Sequence, residues 1–334
     1  MSIDHNTTPT AQESLSRRDL FDFGTAGISG AALLALFDQD KSASAGTGQQ
    51  LADSRPTVRR VVHVVATGGF SQVDSFDYKP ELKRLHGTPL ESDERPDVFF
   101  GKVGLLRQSD WAFRQRGESG LWVSDLFPHL AGVADQLTVI KSMVAETSNH
   151  TPATFQENSG FRLNGFPVLG AWLSYGLGSE TDNLPTHVVI PDPRGLPAGG
   201  SINWTNGFLP SQHQGVPLRA RGNPLDDLFP SRNITAATER DSRRLLSQFN
   251  KRHLVQRGGD DALLGRIRSY ELAARMQLAV PEVTALDSET RSTQALYGLH
   301  REPTADFGRA CLLARRLLQK GVRFVQLFSG GAFG

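Results

Sequence analysis

RVVHVVATGGFSQVDSFDYKP, residues 60–80, decides how the rest of this chain is read. Val61-Val62-His63-Val64-Val65 is a nearly continuous β-branched apolar run, the pattern of a strand buried on both faces of a parallel sheet. It stops at Gly68-Gly69, and a polar segment with Ser71, Gln72, Asp74, Ser75 and Asp77 follows. Open α/β sheets place ligands beyond the carboxyl ends of their strands, so two carboxylates stand where a ligand is expected.

Working outward, LTVI at 137–140, THVVIP at 186–191 and VRFVQLF at 322–328 read as further strands. Between them lie helical patterns at 124–136, 167–177 and 307–320, and a long one at 236–280 broken by Gly258-Gly259. A short helix fits 79–85, and the Gly/Pro-punctuated 87–120 reads as an excursion over the surface. Strands alternating with helices predict an α/β fold.

With 334 residues, 38% hydrophobic and 21% charged, the chain has ample material for a core. Its net charge of +1 comes from basic residues interleaved with acidic ones. That lacks the dense patch that phosphate-backbone binding needs, so no nucleic-acid partner is expected. The single cysteine, Cys311, sits in an apolar helical pattern and reads as packing; one cysteine excludes an intrachain disulfide or a multi-cysteine zinc site.

The first 45 residues carry Ser16-Arg17-Arg18-Asp19-Leu20-Phe21, then the mildly apolar GTAGISGAALLALF, then Ala43-Ser44-Ala45. Paired arginines, a weakly hydrophobic run and a small-X-small site predict a twin-arginine export signal over 1–45; an uncleaved anchoring helix is the alternative. The expected consequences are recognition by the twin-arginine export machinery and a periplasmic or secreted product. No other run approaches the ~18 apolar residues of a membrane span. Residues 46–59 read as a linker, and 60–334 as the globular part.

A second informative segment is Glu146-Thr147-Ser148-Asn149-His150-Thr151-Pro152-Ala153. Thr151 before Pro152 fits a helix N-cap with proline at the first helical position, and such an end favours an anion. Ser148, His150 and Thr151 lie within three residues there, so a hydroxyl nucleophile for a phosphate or sulfate ester is one reading. Plain capping, with His150 packed beneath the loop, is the other. The long loop 192–221 carries Trp204 and His213, which serve either as anchors or as part of a lid.

GGFSQVDSFDYKP, SNHTPA, GAWLSYGLGSE, GFLPSQHQG, YELAARMQLAVPE and LLARRLLQKGVRFVQLF occur in that order. Together they resemble the secreted, sulfatase-like proteins grouped as domain-of-unknown-function family 1501, within the alkaline-phosphatase-like superfamily. The resemblance implies a mostly parallel central sheet flanked by helices, with two divalent metal ions (zinc, calcium or magnesium) at its carboxyl edge. In such sites the ions clamp the attacking and leaving oxygens. Carried onto this sequence, Asp74 is the leading metal ligand, Asp77 a weaker one, and Asn149-His150-Thr151 the nucleophile or metal-facing helix end, so that His150 is a candidate in both roles.

Two departures qualify this. The Cys/Ser-X-Pro-X-Arg motif of sulfatases is absent at His150-Thr151-Pro152-Ala153-Thr154, so a formylglycine mechanism is not implied. Relatives continue past the last strand into Trp-Asp-X-His and Gly-Glu-Phe-Gly-Arg segments that this sequence lacks, and it therefore reads as an N-terminal portion, incomplete at the C-terminus. The expected function is metal-dependent hydrolysis of sulfate or phosphate esters on a small molecule or polysaccharide. An inactive binding protein of the same fold and a structural secreted protein are the alternatives.

Overall fold

The computed structural model describes residues 57–91, 103–226, 228 and 234–331. The expected export signal at 1–45 and most of the linker lie outside them. Six strands are present among the described residues: β1 Val61–Ala66, β2 Phe113–Arg116, β3 Leu121–Ser124, β4 His187–Ile190, β5 Val216–Pro217 and β6 Phe324–Ser329. β1, β6, β4 and β5 lie side by side in that order, and every neighbouring pair is parallel. β6 is the hinge of the register: Phe324 sits opposite both Val61 and His187, and Leu327 opposite both Val64 and Ile190. β2 and β3 form a separate antiparallel hairpin.

The helices are α1 Glu81–Arg84, α2 Pro128–Ala131, α3 His150–Ser159, α4 Leu169–Leu177, α5 Ala236–Gln256, α6 Asp261–Thr284, α7 Arg291–Leu296 and α8 Glu302–Gln319. Proline sits in the first turn of α8, where no amide is lost, and Gly321 at φ 91° follows its end. Leu312, Leu313 and Leu317 make its buried face. They pack with Met276, Val280 and Val283 of α6 against Val188, Ile190, Val325 and Leu327 on one face of the sheet. Each such side chain contributes about 1.5–3 kcal/mol by leaving water. Arg316 then ties α8 to the end of α6, donating to Val283 O at 2.8 Å and Glu282 O at 2.7 Å and pairing with Glu289 at 2.6 Å.

The other face buries Val65, Val189, Phe328 and Trp204. Trp204 and His213 do anchor the loop after β4: Trp204 is buried, and His213 Nδ1 shares a hydrogen bond of 2.9 Å with Ser174 of α4. α5 and α6 part at Gly258-Gly259 as expected, α6 restarting under an Asp260 cap that accepts from Ala262 N and Leu263 N at 2.8 and 3.1 Å. Cys311 is half-buried beside the α8 core. Among the described residues no helix is long and apolar enough to cross a membrane.

Three expectations need correction. β1 is not buried on both faces: it ends the sheet, and Val61, Val62 and Val64 are 38%, 38% and 48% exposed. Residues 137–140 form no strand, because they find no partner and Ile140 stands in solvent. The helix expected over 124–136 shrinks to α2 and a 3-10 turn at Ala134–Gln136. Ser124 is taken into the hairpin, and Asp135 turns to accept from Glu118 N and Ser119 N at 3.1 and 2.8 Å, closing the β2–β3 turn.

Candidate functional site

The parallel strands all release their chains at one edge, and three of those exits are stitched together. β1 leaves through Thr67 and Gly68, and β6 through Ser329 and Gly330. Thr67 donates through both N and Oγ1 to Ser329 O, at 3.1 and 3.0 Å. Gly330 has φ 104°, and a β-carbon there would lie 2.4 Å from Thr67 Oγ1, so only glycine fits. β4 leaves through Asp192, whose Oδ2 accepts from Gly330 N at 2.7 Å. The same carboxylate takes the Arg194 backbone amide and its guanidinium at 2.8–2.9 Å. The Arg194 side-chain bonds first, and then the Gly330 and Arg194 amides, hold the Asp192 carboxyl well below its usual range, at about 2, against the opposing effect of burial.

α3 delivers its first turn to the β1 exit. Gly68, at φ 78°, leaves room for the imidazole of His150, whose Cε1 lies 3.6 Å from where a β-carbon would stand. Asn149, not Thr151, is the N-cap, its Oδ1 accepting from Thr151 N at 3.3 Å. The helix therefore starts two residues earlier than the Thr-Pro pair suggests, because the Asn side chain reaches two residues ahead to an orphan amide. Pro152 has no amide and Ala153 N already bonds Asn149 O at 3.0 Å. The His150 amide is thus what this helix end offers an anion. His150 and Ser148 are exposed and Thr151 half-buried.

Asp74 and Asp77 are placed elsewhere on the polar segment. Asp74 closes the 3-10 turn Gln72–Asp74. Hydrogen bonds from Ser109 and Ser71, then the Arg107 charge, lower its pKa against a small cost of burial. The turn is fixed from behind: Ser75 is buried and donates to Ser71 O and Gln72 O, and Ser124 N donates to Ser75 O at 2.9 Å. Asp77 pairs with Lys79 at 2.8 Å. Asp74, Asp77 and His150, the expected metal set, are therefore not assembled. Among the described residues no three His, Cys, Asp or Glu side chains form a group that could hold a metal ion. The described residues do not fit a two-metal site, which needs several converging donors per ion.

Beneath the edge, α3 is fastened to the sheet by amides. Asn158 accepts from Gln326 Nε2 of β6 and donates to Thr154 O at 2.8 Å and Asn203 Oδ1 at 3.2 Å. Asn203 in turn donates to Ala198 O and Gly200 O at 2.8 and 3.0 Å. On the same sheet face His187 of β4 is buried with neither ring nitrogen hydrogen-bonded, wedged where β-carbons at Gly170 and Gly215 would lie 2.5 and 2.7 Å away. Burial pushes its pKa down to about 4, against a partial upward pull from Gln326.

Asp192 escaped the sequence reading, although the signal that selected Asp74 also marks it. It is a carboxylate two residues past a strand, in the run VVIPDPRG. Fold and site together define an α/β protein with a parallel sheet and a polar, glycine-lined edge at its strand exits. The chain belongs to the family described as "Protein of unknown function (DUF1501)", which matches residues 58–333. No curated protein and no solved structure matches it.

Proposed function

We propose that this chain is an exported, sulfatase-like protein of alkaline-phosphatase-like kinship that hydrolyses sulfate or phosphate esters at the carboxyl edge of its sheet. The observation that carries the reading is the approach of His150, at the start of α3, to Gly68 at the exit of β1. An imidazole at a helix start, flanked in sequence by the hydroxyls of Ser148 and Thr151, stands at the place where such sheets take ligands. In this reading the hydroxyl of Thr151 or Ser148 attacks sulfur or phosphorus while His150 takes its proton and passes it to the departing ester oxygen; water, deprotonated by the same imidazole, then cleaves the enzyme ester, releasing inorganic sulfate or phosphate and restoring the hydroxyl. Asp192 keeps the β6 exit in place through Gly330. The resemblance also implies divalent ions, but the described side chains do not assemble a site for them, and no step is routed through a metal.

A second reading, a protein that binds such esters without cleaving them, is favoured by the pairing of Asp77 with Lys79. One experiment separates the two. The purified protein is supplied in turn with zinc, calcium and magnesium, and given p-nitrophenyl sulfate and p-nitrophenyl phosphate. Turnover that falls by about 100-fold or more in His150→Ala supports hydrolysis. Saturable binding of inorganic sulfate or phosphate without turnover supports the second reading, and neither binding nor turnover removes both. Export is tested separately: changing Arg17 and Arg18 to Lys leaves the precursor in the cytoplasm if the twin-arginine reading holds, and normal export overturns it.

A further inference from the structure

Farther along the carboxyl edge, past β5, a cleft of about 630 Å³ opens between the chain at Ala220–Gly222, the end of α6 and the first turns of α8. Its size is that of a site for one or two small rings. Two guanidiniums, Arg221 and Arg309, face three carboxylates, Asp287, Glu302 and Asp306. The ion pairs among them are loose: Arg221 to Asp306 at 3.5 Å and Arg309 to Asp287 at 3.8 Å. Both exceed an ordinary N–H···O bond, which leaves donors and acceptors of either sign with unused capacity. Buried Leu286 and Leu299 add an apolar patch.

A lining that combines obligate donors with obligate acceptors fits a ligand whose groups do both, and hydroxyl groups do both. A vicinal diol can donate to a carboxylate and accept from the neighbouring guanidinium, while its C–H face lies on Leu286 and Leu299. The excess of carboxylates disfavours an anion. We propose that this cleft is a subsite for an uncharged sugar unit, holding the glycan that carries the ester. The proposal deepens the hydrolase reading and rests on it for the ester, but sugar binding in the cleft stands on the lining alone.

The test is saturation-transfer NMR on the full chain with glucose, galactose, lactose and cellobiose at millimolar concentration, and with glucuronate as the charged control. At least one neutral sugar shows transfer, glucuronate shows less, and Arg221→Gln and Arg309→Gln each reduce the neutral signal about fivefold or more. Arg221 is largely in solvent, so its variant keeps the fold, which an unchanged thermal transition verifies. No transfer from any neutral sugar, or transfer indifferent to both substitutions, overturns the proposal. Sugar binding without ester turnover retains the cleft and removes the hydrolase; turnover without sugar binding does the reverse.

Discussion

The imidazole of His150 and the backbone of Gly68 stand against each other, with Cε1 3.6 Å and Nδ1 4.0 Å from the position of a Gly68 β-carbon. Those are ordinary contact distances, so alanine at 68 fits sterically; its difficulty is φ 78°. Gly68→Ala is expected to cost about 1 kcal/mol of stability from the left-handed backbone. Urea unfolding measures this, and a cost well above it would mean that the imidazole is packed more tightly than described.

Gly330→Ala is a different case. Its β-carbon would meet Thr67 Oγ1 at 2.4 Å on top of φ 104°. We expect a loss of about 2 kcal/mol or more, partly relieved in the double variant with Thr67→Gly. A double-mutant cycle by urea unfolding checks the coupling.

Asp192 gives a pH signature. Its folded pKa of about 2 lies below the ordinary 3.8, so its stabilising effect is complete above pH 3.8 and is lost as pH falls toward 2. The size is about 2 kcal/mol. Asp192→Asn should be less stable at neutral pH by a similar amount and show a flatter acid limb in pH-resolved unfolding.

His187 acts in a higher window. Its neutral form is buried with a pKa of about 4, against 6.5 when free, so the unfolded chain binds a proton that the folded one refuses. Stability is full above pH 6.5 and falls by about 1.4 kcal/mol per unit down to pH 4. His187→Leu should remove that slope; a slope unchanged in the variant would assign it to other groups.

Burial raises the Cys311 thiol to about 11. At pH 8 its reaction with iodoacetamide should be at least about tenfold slower than in the urea-unfolded chain. Equal rates in both states would place the thiol in solvent.

Much of the frame was legible from residue pattern. THVVIP and VRFVQLF gave β4 and β6 within two residues, because strands buried on both faces need unbroken apolar runs. The same rule misled at β1: VVHVVA is equally apolar, yet it lies at the border of the sheet, and which strand ends a sheet is a matter of topology. LTVI at 137–140 has the right side chains and no partner, which sequence alone does not show. At the site, the general placement of ligands in such sheets picked the strand exits as the place to look, but that the start of α3 meets the β1 exit is tertiary packing between distant segments, which no local pattern encodes. The Asn149 cap, the Lys79 pairing of Asp77 and the Gly330 contact of Asp192 are meetings decided by a few ångströms, and no periodicity encodes them.

The amide chain from Gln326 through Asn158 to Asn203 has an implication for His150, two helical turns above it. The imidazole is aimed from its roots: rotating or lifting α3 would strand carboxamide groups in a dry interior. Substitutions at 158, 203 or 326 should therefore blunt whatever happens at the mouth while touching nothing in it, as a bent shaft spoils a key whose teeth are intact.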